Sequence, residues 1–294
     1  MKLTPPAFVS ENMKKIWFET LAPAIRARVY DENFFERLRK FPQVFDLVGY
    51  YVKMANLPFI GGRLPEFDPK ENNFSWIPIN QDIQGAEQIA LPEEVLDRLI
   101  DKAKHRVIVN ACSCRIAMDC KDYPNEIGCL FMGESALVIP ATHREEVTPK
   151  KAKAHARKAI KAGLVPVAGK ARIDSTGLMI KDEGKLLTVC FCCECCCLTR
   201  LFRYLPPETM KGIQHPVEGL TVEVTDDCIG CGICVDKCYI NAMELKNGQA
   251  VTGDMCTCCG RCATHCPEKA IKLKLDNPNA VDDVVRRIES VINF

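Results

Sequence analysis

The stretch from Cys228 to Cys266 reads CIGCGICVDKC, then seventeen further residues, then CTCCGRCATHC. Each of the two runs has four cysteines at the spacing C-x2-C-x2-C-x3-C, and Pro267 follows the second run. In each run the first three thiols come from one tight loop, whereas the fourth lies about one helical turn further on. Because one loop cannot easily complete a four-thiolate site by itself, we expect the two runs to share their ligands.

This doubled spacing is typical of a pair of [4Fe–4S] clusters, in which the fourth cysteine of each run binds the other cluster. Zinc sites and disulfide frameworks use other spacings, so they fit the two runs poorly. We predict a first cluster held by Cys228, Cys231, Cys234 and Cys266, and a second held by Cys256, Cys259, Cys262 and Cys238.

Residues 220–276 resemble a bacterial-type two-cluster ferredoxin domain. Between the two runs, Asn247-Gly248 predicts a hairpin turn, because this dipeptide tolerates the positive φ of a type I′ turn. Strands are expected at 220–224 and 270–275 on either side.

Two residues depart from the ferredoxin pattern. Tyr239 stands where the pattern has Pro after the fourth cysteine, which loosens the turn but removes no ligand. Cys258 is an extra thiol beside Cys259, and we predict that it is dispensable.

The composition is that of an ordinary globular protein apart from its thiols. The 294 residues are 47% hydrophobic and 26% charged, and the net charge of +1 gives no general indication of nucleic acid or anionic membrane as a partner. The nineteen cysteines require either metal or an oxidising compartment, and the ferredoxin spacing favours metal. We therefore expect a reducing, anaerobic cytoplasm, and neither a signal peptide at residues 1–10 nor a transmembrane segment.

A second constellation of cysteines precedes the ferredoxin part. It comprises ACSCR at 111–115, two single cysteines, and CFCCECCC at 190–197. With the ferredoxin runs, this combination is similar to a widespread family of anaerobic iron–sulfur proteins with a Cys-rich domain ahead of a two-cluster ferredoxin, over about residues 75–275. The resemblance implies a redox function and no particular substrate.

Adjacent cysteines cannot all face one metal from a regular strand, because successive side chains point to opposite sides. The thiols at 190–197 must therefore serve two places, or some of them are not ligands. The candidate ligands for at least one further iron–sulfur cluster are Cys112, Cys114, Cys120, Cys129, Cys190, Cys193 and Cys196. Two clusters and structural zinc stay open as alternatives. Arg115 either lowers a thiolate pKa or holds an anionic ligand, or it forms a structural salt bridge.

The patterns predict an α+β protein in four parts. These are an aromatic-rich helical region at 1–60, a small α/β Cys-rich domain at 85–205, the ferredoxin domain at 220–276, and an amphipathic helix at 279–294. The aromatic residues of the first part form either a cap over the protein's own core or a docking surface for a partner.

Three functions are compatible with this organisation. The one we favour is an iron–sulfur electron-transfer protein or subunit of an anaerobic redox complex, whose partner is a flavoprotein or another oxidoreductase subunit. The others are an enzyme that reduces a disulfide or a small substrate at its N-terminal site, and a scaffold for iron–sulfur or metal maturation. The chain has no G-x-G-x-x-G and no complete Walker A motif, so a nucleotide site of its own is not indicated.

Overall fold

A computed structural model of the chain describes residues 13, 16–57, 64–80, 82–86, 91–181 and 183–293. The α-helices are α1 (Ala22–Val29), α2 (Phe34–Lys40), α3 (Gln43–Lys53), α4 (Leu91–Lys102), α5 (Ser113–Ala117), α6 (Pro149–Lys161), α7 (Arg172–Gly177), α8 (Pro207–Ile213), α9 (Ile233–Asp236), α10 (Arg261–Thr264) and α11 (Ala280–Glu289). A π-helical turn covers Trp17–Leu21, and 3₁₀ turns cover Met54–Asn56, Pro65–Phe67, Glu134–Val138, Ala141–His143 and Leu198–Tyr204.

The strands are β1 (Asn73–Trp76), β2 (Arg106–Val109), β3 (Leu130–Met132), β4 (Arg144–Glu146), β5 (Val165–Lys170), β6 (Leu187–Cys192), β7 (Leu220–Val224), β8 (Met243–Lys246), β9 (Gln249–Thr252) and β10 (Ile271–Leu275). Six of them form one sheet in the order β1-β5-β6-β3-β2-β4, and every neighbouring pair is antiparallel. The mixture of helices with antiparallel sheets confirms the α+β class.

The α/β arrangement predicted for the Cys-rich part is wrong. Its strands are antiparallel, and the sheet also takes in β1, which precedes the predicted boundary at residue 85. Antiparallel neighbours need only a turn between them, whereas a parallel pair needs a crossover long enough to span the sheet. An alternation of helices and strands along the chain does not by itself distinguish these two cases.

The ferredoxin part has the strands and the turn that its sequence predicts. Strand β7 pairs with β10 in antiparallel register, with Leu220 opposite Leu275. Strands β8 and β9 form a hairpin whose turn residues Asn247 and Gly248 have φ values of 51° and 81°. Both central residues have the positive φ that a type I′ turn requires, which confirms the predicted turn.

The last helix closes the protein against its first half. Helix α11 packs on α4 and β1, and its apolar stripe is buried as predicted. Ion pairs from Arg98 to Asp282 and from Lys102 to Glu289 join the two helices at their edges. A bridge between Gln84 and Lys274 adds a second connection. The terminal helix therefore packs against the first half of the chain, and the ferredoxin part is connected to that half through the Gln84–Lys274 bridge.

The N-terminal helices are partly anchored and partly exposed. Tyr30 donates a hydrogen bond to the Gly177 carbonyl over 2.8 Å, and the Phe35 ring packs edge-on against His143. By contrast, Phe41 and Tyr50 are 63% and 67% exposed. Some aromatic residues thus pack on the protein's own core, and others are exposed as a docking surface would require. Residues 1–12, 14–15 and 58–60 of the predicted helical region lie outside the described residues. Among the described helices, none is long and apolar enough to cross a membrane.

Candidate metal centres

The first ferredoxin set gathers around one pocket. Its four predicted ligands all line that pocket: Cys228, Cys231, Cys234 and Cys266. Gly230 and Gly232 shape the loop with φ values of 68° and 81°. A Cβ at Gly230 would lie 2.3 Å from the Gly248 carbonyl oxygen, so the loop can sit against the hairpin turn only with glycine there. The Ala250 amide donates to the Cys228 sulfur over 3.4 Å.

The second ferredoxin set lines a separate pocket. Its predicted ligands there are Cys238, Cys256, Cys259 and Cys262. The Ala242 amide donates to the Cys238 sulfur over 3.1 Å. Each pocket thus takes three predicted ligands from one run and one from the other, because the short helices α9 and α10 carry the fourth cysteine away from its own loop; Cys258 also lines the second pocket. This grouping is the one that crossed ligation needs, and the assignment of ligands stays a prediction.

Cys258 occupies the position in the second run that Gly230 occupies in the first. Its φ is 53°, so a thiol-bearing residue adopts the left-handed conformation of the equivalent glycine. Its Sγ donates to the Leu220 carbonyl over 3.2 Å. The side chain therefore has a backbone partner of its own. Aligning the two runs would have revealed this equivalence from the sequence.

The two cysteine groups of the N-terminal part converge. Four sulfurs all lie within 4.8 Å of one another, and we call these residues the quartet: Cys120, Cys193, Cys195 and Cys196. Cys195 Sγ lies 3.5 Å from both Cys120 Sγ and Cys196 Sγ. A tetrahedral ion with sulfur ligands at about 2.3 Å separates those sulfurs by roughly 3.8 Å. The quartet therefore has the chemistry and spacing of a four-thiolate metal site. Cys195 was not among the predicted ligands.

The remaining six thiols form one series of contacts, in which Cys190 interacts with both Cys129 and Cys192. Cys192 Sγ and Cys197 Sγ are 2.9 Å apart. Cys114 interacts with both Cys112 and Cys197, which with burial raises the pKa of Cys114 well above its usual value. The structure thus separates the seven predicted ligands: Cys120, Cys193 and Cys196 belong to the quartet, Cys112 and Cys114 lie beside Cys192 and Cys197, and Cys129 lies 3.5 Å from Cys190.

Burial makes three of the four quartet thiols poor acids without a cation, whereas hydrogen bonds lower the pKa of Cys120 despite its burial. Burial raises the pKa of Cys196 to about 12 and raises the pKa values of Cys193 and Cys195 as well. Thiolates are the form that binds metal, and a coordinated metal ion supplies the positive charge that deprotonates them. The quartet therefore fits a metal cation better than it fits four free thiolates.

Arg115 is a buried cation among these thiols, with a relative exposure of 1%. It donates to the carbonyls of Pro124 and Phe191 over 2.9 and 2.8 Å. No carboxylate partner of Arg115 is found in the part of the chain that the structure describes, so the structural salt bridge, one of the alternatives for this residue, does not form there. The pKa of Cys112 falls to about 7, chiefly through its hydrogen bond with Cys114 and also through the Arg115 charge.

A second buried arginine joins the two kinds of site. Arg261, which precedes Cys262, donates to Glu194 over 2.5 Å and to the Cys192 carbonyl over 3.0 Å. Lys237, which precedes Cys238, donates to the other oxygen of Glu194 over 2.9 Å. None of these three charged residues was among the predicted site residues. The sequence did contain an indication of the Glu194–Arg261 contact, namely one acidic residue inside CCECCC and one basic residue inside CGRC.

Burial alone would raise the pKa of Glu194, but the Arg261 charge and the Lys237 hydrogen bond outweigh it and hold the pKa below its usual value. The carboxylate is therefore ionised at neutral pH. It binds residues from both ferredoxin ligand runs and lies between two members of the quartet, so it connects the ferredoxin part to the quartet.

Comparison with known proteins gives one short similarity. Ferredoxin-2 from Desulfomicrobium norvegicum is 59% identical over 27 residues, which are 9% of this chain and 46% of that ferredoxin. The match thus spans less than half the length of the ferredoxin. No protein-family model matches the chain. No solved structure matches it either. The short match and the quartet together indicate an iron–sulfur protein.

Proposed function

We propose that this chain is an iron–sulfur electron-transfer protein that works as a subunit of an anaerobic redox complex. One observation carries the proposal: Glu194, between two quartet cysteines, binds Arg261 and Lys237 from the two ferredoxin runs. This contact links the second ferredoxin set to the quartet. The predicted division into an N-terminal helical region, a Cys-rich part, a ferredoxin part and a terminal helix is retained, with β1 added to the Cys-rich part.

The two ferredoxin pockets fit [4Fe–4S] clusters in their donors and their surroundings. Each presents four thiols from both runs, and backbone amides donate to Cys228 and Cys238. A bound [4Fe–4S] cluster supplies reversible one-electron chemistry. The chain holds the cluster through its cysteines, while the amide donors stabilise negative charge on the sulfurs and thereby raise the reduction potential.

The two ferredoxin sets differ in solvent exposure, and this difference indicates which set exchanges electrons with a partner. In the first set Cys231 is exposed, whereas Cys259 in the second set is about half-buried and Cys262 is buried. Electrons would exchange with a partner at the first set, pass to the second set, and reach the quartet across the Glu194 contact. We assign iron to the quartet because it lies at the end of this route. Zinc is the other ion that four thiolates bind readily.

An apolar rim surrounds the exposed first set. Ile229, Ile233 and Leu245 line the same pocket as Cys231, and Ile229 is 65% exposed. Exposed apolar patches of this kind mark interaction sites, and a partner docked here would approach the first cluster closely. We therefore place the flavoprotein or other oxidoreductase subunit at this rim.

Metal and sulfide analysis of the full chain, purified without oxygen and combined with EPR, tests this function. The expected result is two [4Fe–4S] signals, about eight irons for the ferredoxin part, and additional iron that depends on the quartet. Reversible one-electron titration of these centres would support electron transfer. If the quartet binds zinc and no iron, the route ends at the second ferredoxin set and the redox role of the Cys-rich part fails.

A further inference from the structure

We propose that the cleft between residues 214–220 and helix α11 binds a small organic anion, one that carries a carboxylate or phosphate group together with a hydroxyl. The lining of the cleft includes no cysteine in the described part of the chain. This site is therefore separate from every candidate metal centre, and it adds small-molecule binding to the electron-transfer function above.

The cleft has the size and the mixed lining of a small-molecule site. It is open and has a volume of about 740 Å³, which lies within the roughly 300–1,000 Å³ that such sites usually occupy. One wall is the segment that joins helix α8 to strand β7, and the other is α11 with Ser290 after it. Val217, Leu220 and Val284 contribute buried apolar surface to the lining. Sites of this kind hold a ligand by apolar contacts and orient it with a few polar groups.

Arg287, on the α11 wall, is a charge without a counter-ion. Its Nη2 donates to Ser75 Oγ, whereas Nη1 is shielded from solvent and has no hydrogen-bond partner among the described residues. Burial lowers the pKa of Arg287 to about 10, so the side chain is still charged at neutral pH. A charge withdrawn from water is costly unless it is paired. An anion in the cleft would supply both the missing acceptor and the missing charge once the guanidinium turns towards it.

The two acidic residues that line the cleft do not neutralise Arg287. Both carboxylate oxygens of Asp283 have other partners, because Oδ1 accepts from Arg286 over 3.3 Å and Oδ2 accepts from Asn277 over 2.9 Å. Glu218 is exposed, and burial rather than any acidic group determines the pKa of Arg287. The guanidinium is therefore available to a ligand.

Hydrogen bonds from neighbouring elements hold Arg287 in place. Ser75, in β1, is fully buried; it accepts from Arg287 Nη2 and donates its own hydroxyl to the His215 carbonyl. Asn73 Nδ2 and Ser290 Oγ donate to the Arg287 carbonyl over 3.1 and 2.7 Å. Both the backbone and one arm of the guanidinium are thus anchored before a ligand arrives, which reduces the entropy that binding has to remove.

Gln214, on the other wall, is an independent indication of a ligand. Its side chain is 4% exposed, and Oε1 has no hydrogen-bond partner among the described residues. Its backbone is fixed, since it bridges to Phe74 in β1 and its amide donates to the Met210 carbonyl. A buried acceptor without a donor costs free energy. A ligand hydroxyl would satisfy it, so the cleft offers one cationic donor and one neutral acceptor to the same molecule.

The cleft lies behind the second ferredoxin set. Leu220 lines the cleft, and its carbonyl accepts the hydrogen bond from Cys258 Sγ. Cys258 in turn lines the pocket of the second set. A bound anion would add negative charge on this side of the second cluster. Because the net charge around a cluster affects its reduction potential, we expect the anion to lower the midpoint potential of that cluster.

Calorimetric titration of the full chain, prepared without oxygen, tests the site with malate and with glycerol 3-phosphate as probes. We expect saturable binding of at least one probe, and the tighter of the two identifies the anionic group. R287M should weaken binding roughly tenfold or more, because it removes a charge-assisted hydrogen bond. R286M is the matched control: it removes a charge from the next residue, which is exposed, and should change the affinity little. Absence of saturable binding for both probes would overturn the proposal, and so would equal weakening in the two variants.

A second comparison covers the case in which R287M fails to fold. The parent protein should bind the probe more tightly than its analogue without a hydroxyl, which is succinate for malate and propyl phosphate for glycerol 3-phosphate. Q214M should remove that preference. Equal affinities for probe and analogue in the parent protein would contradict a ligand that pairs with Gln214. Iron content should be the same in all variants, so failure of this site is distinguishable from failure of the electron-transfer function.

Discussion

Arg261 donates a hydrogen bond of 2.5 Å to Glu194, and the two side chains are 1% and 11% exposed. Arg261 lies between two cysteines of the second ferredoxin set, and Glu194 lies between two cysteines of the quartet. Charges withdrawn from water are costly unless they are paired and fully hydrogen-bonded. The contact therefore constrains both ligand loops at once.

Replacing Glu194 by Gln should destabilise the protein, because it leaves the buried Arg261 charge without its compensating carboxylate. Breaking a buried ion pair in this way costs on the order of 3 kcal/mol, which lowers Tm by roughly 6–12 °C in a protein of this size. The measurement is thermal unfolding of the protein prepared without oxygen.

The control for this experiment is Lys40→Gln, which breaks an exposed pair with Glu36 on helix α2. Exposed pairs contribute little to stability, so the Tm of this variant should stay close to that of the parent. An equal change in the two variants would mean that the Arg261–Glu194 contact does not hold the two loops together.

Crossed ligation predicts which variants share an EPR spectrum. Cys266→Ser should remove the same signal as Cys231→Ser, since both residues line the first pocket. Cys238→Ser should remove the same signal as Cys259→Ser, since both line the second pocket. If Cys266→Ser instead gave the spectrum of Cys259→Ser, each run would complete its own cluster and the crossed assignment would be wrong.

Cys258→Gly should keep both ferredoxin clusters. The substitution restores the residue type found at the equivalent Gly230, and it suits the φ of 53° better than a side chain does. Iron analysis is the measurement, with Cys259→Ser as the matched variant that should lose about four irons. A loss of that size in Cys258→Gly would show that Cys258 is a ligand.

The apolar rim around the first set predicts where a redox partner docks. Ile229→Glu should abolish the recovery of a flavoprotein or other redox subunit when the protein is purified without oxygen from its native host, and iron content should not change. Phe41→Glu alters an exposed aromatic residue of the N-terminal helices instead. If only Phe41→Glu prevents recovery of the partner, the N-terminal helices are the docking surface and the rim is not.

Local patterns were sufficient to predict several parts of the fold. The Asn247-Gly248 turn, the strands beside it and the buried stripe of α11 all depend on residues close together in the chain. The same holds for the gathering of the ferredoxin cysteines around two pockets, because short loops and single helical turns place them.

The Cys-rich part depended on the tertiary structure. Cys120 and Cys195 meet across 75 positions of sequence, and Glu194 and Arg261 across 67. Spacing along the chain carries no information about which distant segments meet, because the packing of the antiparallel sheet decides that. The sequence by itself determined that the thiols at 190–197 serve two places or that some of them are not ligands, since adjacent side chains diverge. Only the folded chain decided that Cys120 joins Cys193, Cys195 and Cys196 in the quartet, because that requires two distant segments to pack together.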